Sequence, residues 1–87
     1  GRPFEISFFR THSGTEIDFI IQREKEIFAV EVKSNDKLGS DDVRHLTWIK
    51  GKHKKIEPVL FHFGKRSFKV DGIWCLNWQE GLKKYFD

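Results

Sequence analysis

The chain has 87 residues, which fits one small domain, and its 16 Lys and Arg against 13 Asp and Glu give a net charge of +3. Nine Phe, three Trp and one Tyr supply a core, so the composition excludes an intrinsically disordered chain. The short apolar runs predict no membrane span, and the single cysteine excludes an internal disulfide and suits the reducing cytoplasm, where we expect the protein.

The first third of the chain predicts three strands with short connections. Residues 4–10, 15–23 and 27–33 are rich in Phe, Ile and Val, and the last two segments alternate between apolar and charged side chains. Gly14 permits a turn after the first strand, and the polar residues 24–26 are few enough for a hairpin loop. We therefore predict an antiparallel meander.

The next segment predicts a helix that crosses over to a fourth strand. Ser40 is the predicted N-cap of this helix, and apolar residues then recur at helical spacing until the sequence reaches Gly51. A strand over 59–63 follows, and we expect it to lie parallel to the third strand because a helix connects the two.

The last segment predicts one more strand and a closing helix. The strand covers residues 67–76, and Asn77 with Glu80 predicts a capping box for a helix through residue 85. The order β-β-β-α-β-β-α predicts an α/β fold, with a mixed β-sheet flanked by helices.

The predicted hairpin of the second and third strands sets two carboxylates opposite each other. A register in which paired residue numbers add to 49 places Phe19 opposite Val30 on one continuous apolar face, and a shift by one residue would put carboxylates there. On the other face the same register sets Asp18 opposite Glu31, and Lys33 shares that face with Glu31.

Facing carboxylates repel each other, so a protonated acid, a nearby lysine or a divalent cation must compensate. Such an oxygen-rich pair suits Mg²⁺ or Mn²⁺, and a lysine beside the ion can orient a water molecule or stabilise developing negative charge. The pattern therefore predicts metal-dependent cleavage of phosphodiesters. The alternative is an ordinary sheet surface on which Glu16 and Lys33 form a cross-strand ion pair worth less than about 1 kcal/mol.

Three features of the sequence resemble the PD-(D/E)xK, or restriction-endonuclease-like, superfamily: Arg10, the segment Gly-Thr-Glu-Ile-Asp-Phe at 14–19, and Ala-Val-Glu-Val-Lys-Ser at 29–34. More narrowly, the chain resembles the C-terminal nuclease-like domain that follows the P-loop ATPase module of many uncharacterised bacterial and archaeal AAA-type ATPases. The resemblance covers most of the chain, because β-β-β-α-β is also the order of the superfamily core.

The resemblance implies a restriction-endonuclease-like fold for residues 1–87, as one nuclease-like domain in the C-terminal part of a longer ATPase chain. It implies Asp18 and Glu31 as metal ligands, the Val32 carbonyl as a candidate third ligand, and Lys33 as the catalytic lysine.

Other residues carry weaker signals. Four lysines between positions 50 and 55 predict contact with a DNA backbone, or alternatively stabilise the C-terminus of the preceding helix. Trp48, Trp74 and Trp78 are predicted to pack in the core or cover the sheet, with base stacking as the alternative. The four histidines lack metal-ligand spacing and are predicted as surface or hydrogen-bonded residues, and Cys75 is predicted to be buried.

These patterns favour a Mg²⁺-dependent nuclease domain that hydrolyses DNA phosphodiester bonds and is attached to an ATPase. The first alternative is a catalytically inactive nuclease-like module that binds DNA or a protein partner. The second is a structural domain whose exposed aromatic surface docks the ATPase part of the chain.

Overall fold

The structure is a computed structural model that describes residues 5–8, 19–34 and 37–86. These residues form a six-stranded sheet, a 3-10 turn at Ser40–Val43 and two α-helices. The strands are β1 (Glu5–Phe8), β2 (Phe19–Arg23), β3 (Glu26–Lys33), β4 (Ile56–His62), β5 (Phe68–Val70) and β6 (Ile73–Asn77), and the helices are α1 (Arg44–Lys52) and α2 (Trp78–Phe86).

The sheet is mixed, with the strand order β1-β2-β3-β4-β6-β5. Strands β1, β2 and β3 are antiparallel neighbours, whereas β4 is parallel to both β3 and β6, and β5 returns antiparallel to β6. The predicted meander, the parallel fourth strand and the α/β class are therefore confirmed. Among the described residues, no helix has the length and hydrophobicity needed to cross a membrane.

The two helices cover opposite faces of the sheet. On one face, Val43, Leu46 and Ile49 pack against Ala29 and Leu60. This α1 face also buries Ile73 and Cys75, so the predicted burial of the cysteine is confirmed. On the other face, the α2 face, Tyr85 packs with a second set of buried residues: Ile21, Phe28, Val30, Val59, Phe61 and Leu76. Because side chains alternate along a strand, β2, β3, β4 and β6 each contribute residues to both cores.

The single strand predicted over residues 67–76 is wrong, because this segment forms the hairpin β5–β6. Asp71 and Gly72 lie between the two strands and have positive φ angles of 50° and 79°. Two consecutive residues with positive φ make a tight turn whose twist matches that of the flanking strands, and Asp-Gly is a preferred sequence for it. The element order is therefore β-β-β-α-β-β-β-α rather than the predicted β-β-β-α-β-β-α.

The first helical segment begins differently from the prediction. Ser40 is not its N-cap: Gly39 takes that position, and the Asp42 carboxylate accepts a hydrogen bond of 2.8 Å from the Gly39 N–H group. The chain then makes one 3-10 turn before α1, because the Asp42 side chain reaches back to a donor that a helix would otherwise leave unsatisfied.

The predicted cap of α2 is confirmed at Asn77, whose Oδ1 accepts hydrogen bonds from the N–H groups of Gln79 and Glu80 at 3.0 and 3.3 Å. The capping box is closed through a third residue. The Asn77 N–H group donates to Ser67 Oγ at 3.1 Å, and the Ser67 hydroxyl donates to Glu80 Oε2 at 2.7 Å. Ser67 thereby ties the start of β5 to the start of α2.

None of the three tryptophans lies in the core. Trp48, Trp74 and Trp78 are 54%, 40% and 38% exposed, so of the two predicted locations, in the core or covering the sheet, the core is wrong for all three. The buried clusters on the two faces are filled mainly by aliphatic residues and Phe, and the tryptophans lie on α1, β6 and α2.

Candidate functional site

Glu31 is a buried acidic residue in the carboxyl-terminal half of β3. Its exposed fraction is 1%, and its position in the strand alternation places it on the α1 face with Ala29. In the parallel pair β3–β4 it lies beside Leu60. A carboxylate at such a position is unfavourable unless another charge or a set of donors stabilises it, so this residue marks a candidate functional site.

Lys33 supplies a positive charge to Glu31. Its Nζ lies 3.4 Å from Glu31 Oε1, and 28% of its side chain is exposed. The two residues are two positions apart in one strand, so both side chains project from the same face. The predicted juxtaposition of Glu31 with Lys33 is therefore present, with the ammonium group at the solvent boundary.

Of the two predicted partners of this pair, the structure describes Val32 and does not describe Asp18. Val32 lies between the two charged residues with its side chain 37% exposed, so only its backbone carbonyl can join a site on the α1 face. Asp18 lies outside the described residues. The predicted register is confirmed from Phe19 opposite Val30 onward, and the pairing of Asp18 with Glu31 stays a prediction.

The oxygen atoms of Glu31 and Val32 supply some of the ligands that a hard cation needs. Mg²⁺ commonly binds one or two carboxylates and completes its shell with water and phosphate oxygens. Glu31 supplies one carboxylate and Val32 a backbone carbonyl. Among the residues that the structure describes, no group of three or more His, Cys, Asp or Glu side chains is placed to hold a metal ion. The second carboxylate that the sequence predicts, Asp18, lies outside the described residues.

Two polar residues that sequence reasoning did not connect with the site lie in register with Lys33. His62 is its neighbour on β4, and Asn77 is the next residue along, on β6. All three lie at the carboxyl ends of parallel strands, the edge at which α/β sheets commonly bind ligands. The parallel pairing of β3 and β4 was predicted from the β-α-β order, whereas the register of that pairing was not.

His62 holds the backbone at this edge. The Gly64 N–H group donates to His62 Nδ1 at 3.0 Å, and His62 Nε2 lies 3.2 Å from the Cys75 carbonyl. Nδ1 therefore acts as acceptor and Nε2 carries the proton, which is the neutral form of the ring. Both nitrogens are engaged, which confirms the prediction of a hydrogen-bonded histidine and leaves no nitrogen for a metal.

The basic segment 50–55 lies away from Glu31 and Lys33. All six residues are exposed, and Lys50 Nζ donates a hydrogen bond of 3.0 Å to the Gly72 carbonyl. The segment precedes β4, whereas the Glu31–Lys33 pair lies near the strand's other end, about 20 Å away at the usual rise per residue. The structure thus does not bring this segment into the candidate site, and its contact with DNA stays a prediction.

Cys75 is not a nucleophile at neutral pH. Burial, and to a lesser extent the negative charge of Asp42, raises the pKa of its thiol to about 11. Because the thiolate is the reactive form, the side chain acts as a small apolar residue of the α1-face core.

The fold and the site define an α/β domain with a buried carboxylate–lysine pair near the carboxyl end of a parallel strand. The sequence matches the family described as a domain of unknown function, DUF4143, over residues 1–80, so the chain belongs to that family. Searches of curated proteins and of solved structures gave no match.

Proposed function

We propose that this chain is a divalent-metal-dependent nuclease domain that hydrolyses DNA phosphodiester bonds and is attached to an ATPase module in the same protein. The observation that carries the proposal is the buried Glu31 carboxylate with the Lys33 ammonium group 3.4 Å away, on one face of the sheet. A solely structural role would favour an apolar residue at position 31, because replacing a buried ion pair with apolar residues is often neutral or stabilising.

The arrangement of strands supports the restriction-endonuclease-like part of the proposal. An antiparallel meander leads into a β-α-β unit, and helices cover both faces of the mixed sheet. This order of elements supports the β-β-β-α-β core that the sequence resemblance implies. The fold alone does not determine activity, so the proposal depends on the charged pair.

Each residue of the proposed site has a distinct task. Glu31 and Asp18 would hold Mg²⁺ or Mn²⁺ together with the Val32 carbonyl, and the ion would supply a Lewis acid and a bound water of lowered pKa. The Lys33 ammonium group would orient the attacking water or stabilise negative charge on the phosphate. Its position at the solvent boundary, 3.4 Å from the Glu31 carboxylate, suits that task.

Cleavage of DNA tests this function. We expect the chain to nick plasmid or oligonucleotide DNA in the presence of Mg²⁺ or Mn²⁺ and not in EDTA. Lys33→Ala should lower the rate by about 100-fold or more, since removal of one group that stabilises transition-state charge has effects of this size. Lys25→Ala is a matched control, because Lys25 is an exposed residue of the β2–β3 turn.

The outcome depends on a comparison of these two variants at equal folded concentration. Cleavage that Lys33→Ala retains at the rate of Lys25→Ala would remove the lysine from the mechanism. Circular dichroism of both variants establishes that the fold is intact, so that loss of activity reports on the site.

A catalytically inactive nuclease-like module that binds DNA or a protein is the second candidate. The observation in its favour is that, within the described part of the chain, no group of three or more His, Cys, Asp or Glu side chains is placed to hold a metal ion. This candidate predicts binding without metal-dependent cleavage by the unmodified chain, and the same DNA assay separates the two functions.

A further inference from the structure

A cleft of about 600 Å³ opens on the α2 face of the sheet, and no predicted site includes it. Its walls are the β4–β5 loop with Lys65 and Arg66, strand β6 with Trp74, and α2 with Lys84. The cleft exists because α2 packs over the middle strands, with its Tyr85 ring 4.7 Å from the ring of Phe28. The helix covers β6 only in part: Leu76 is buried with Tyr85 in the α2-face core, whereas Trp74 is 40% exposed.

The cleft carries an excess of positive charge. Lys65, Arg66 and Lys84 line it, and Glu80 is its single acidic residue. The Glu80 carboxylate already accepts a hydrogen bond from the Ser67 hydroxyl at 2.7 Å. In the part of the chain that the structure describes, none of the three cations forms a salt bridge with a carboxylate. Three cations on two walls of one cleft attract an anion with more than one charge.

An aromatic ring lines the same cleft. Trp74 is 40% exposed on β6, and the Nζ of the neighbouring Lys69 lies 4.9 Å from the centroid of its ring. A cation over an exposed ring is held weakly, and a nucleic-acid base stacks on an exposed indole more strongly. A base can therefore displace the ammonium group, which then remains close enough to pair with a phosphate.

We propose that this cleft binds single-stranded nucleic acid, with one unpaired base stacked on Trp74 and the flanking phosphates held by Lys65, Arg66 and Lys84. A duplex does not fit, because its bases are already stacked and present no free face to an aromatic ring. A free mononucleotide uses only part of the cleft, since its phosphate lies on one side of the base while the cations occupy two walls.

The proposal does not rest on the nuclease function. Trp74 follows Ile73 and precedes Cys75, both of which are buried on the α1 face, so its ring projects from the α2 face. Glu31 lies on the α1 face, so the cleft and the charged pair are on opposite faces of the sheet. Binding can therefore be measured in EDTA, where metal-dependent cleavage does not occur.

The test is fluorescence anisotropy of a labelled oligothymidylate of roughly 15 nucleotides, titrated with the 87-residue chain in EDTA. We expect Trp74→Leu and the double variant Lys65→Glu/Arg66→Glu each to weaken binding about 10-fold or more. The matched controls are Trp48→Leu, which removes an exposed tryptophan from α1, and Lys54→Glu/Lys55→Glu, which makes the same charge change in the basic segment. These controls should weaken binding less than about 3-fold.

Salt dependence adds a second readout. Contact with three phosphates predicts a slope of about −2 for log K against log salt, and the Lys65→Glu/Arg66→Glu variant should reduce its magnitude to below about 1. If Trp74→Leu fails to fold by circular dichroism, the loop variant alone decides, because both of its residues are exposed.

Three results would overturn the proposal. The first is a loss of affinity in the control variants equal to that in the cleft variants. The second is duplex DNA of the same length binding as tightly as the single strand. The third is displacement of the oligonucleotide by an equal concentration of thymidine monophosphate, which would indicate a site for a free nucleotide. Because binding is measured in EDTA, binding and metal-dependent cleavage are measured separately, so this test is distinguishable from that of the nuclease function.

Discussion

At the scale of single residues, the charged pair of β3 combines burial with access to solvent. Glu31 is withdrawn from water at 1% exposure, whereas the Lys33 side chain retains 28%, so the pair spans the boundary between core and solvent. A fully exposed pair would contribute little to stability, and a fully buried one would have a large desolvation penalty. The intermediate position favours a site at which a charged ligand can approach the lysine.

Two buried groups predict how stability depends on pH. Burial raises the pKa of the Cys75 thiol to about 11 and that of the Tyr85 hydroxyl to about 12, above their ordinary values of 9.0 and 10.0. A raised pKa in the folded state means that the unfolded chain ionises first. Both groups therefore contribute full stability below about pH 9, and this contribution is lost as the pH rises through 11 and 12.

Urea unfolding at pH 7.5 and pH 10.5 checks this prediction. The unmodified chain should lose about 1–2 kcal/mol more between the two pH values than Cys75→Ala, which has no thiol to ionise. The comparison uses only the change with pH, so a cavity in the variant, which lowers its stability at both pH values, does not affect the result. Equal losses in both chains would contradict a buried, neutral thiol.

At the scale of elements, the approach of α2 to the sheet depends on Gly81. A Cβ atom at this position would lie 2.4 Å from Phe61 Cε1, closer than any real contact. Phe61 is 2% exposed in the α2-face core and cannot move without disturbing its neighbours. The glycine therefore permits the close approach of α2 to β4.

Gly81→Ala should destabilise the chain although alanine is the better helix former. Overpacking of a core costs about 1–3 kcal/mol, which exceeds the gain of about 1 kcal/mol from helix propensity. Gly51→Ala is the matched control in α1, where an added Cβ meets nothing within 4 Å, and it should stabilise by about 0.5 kcal/mol. Denaturant unfolding measures both, and a Gly81→Ala variant as stable as the unmodified chain would contradict the close approach.

The sequence allowed most elements to be predicted, because their signals are local. Alternation over β2 and β3 fixed the register from Phe19 opposite Val30, and the side-chain oxygen of Asn77 identified the start of α2. The sequence Asp71-Gly72 is a local signal for the β5–β6 hairpin, which the single strand predicted over residues 67–76 does not include. The 3-10 turn before α1 was not predicted. It begins after Gly39, whose N–H group donates to the Asp42 carboxylate, and this hydrogen bond replaces the predicted cap at Ser40.

The candidate site was predictable in part for a similar reason. The proximity of Glu31 and Lys33 follows from strand parity, which the sequence displays. The alignment of His62 and Asn77 with Lys33 depends on the register of parallel strands joined by long connections, which local patterns do not encode. The basic cleft depends on how much of the sheet α2 covers, a property of packing rather than of any motif.

At the scale of the whole molecule, the two faces of the sheet differ in chemistry. The α1 face carries the Glu31–Lys33 pair at the carboxyl edge of the parallel strands, and the α2 face carries the cleft around Trp74. The basic segment 50–55 precedes β4, near its amino end, so the exposed positive charge is distributed over separate surfaces. The proposed reaction site and the proposed cleft for single-stranded nucleic acid therefore lie on opposite faces of one small domain.

The central claim is that a divalent ion binds beside Glu31, and paramagnetic broadening by Mn²⁺ in the amide NMR spectrum tests it most directly. We expect substoichiometric Mn²⁺ to broaden the amide signals of Glu31, Val32 and Lys33 first, because these groups would lie closest to the ion. Glu31→Gln should abolish the broadening, and the exposed Asp41 with its half-buried neighbour Asp42 provides the comparison for weak surface binding. Broadening centred on Asp41 and Asp42, or none at the three residues of β3 at millimolar Mn²⁺, would contradict the account.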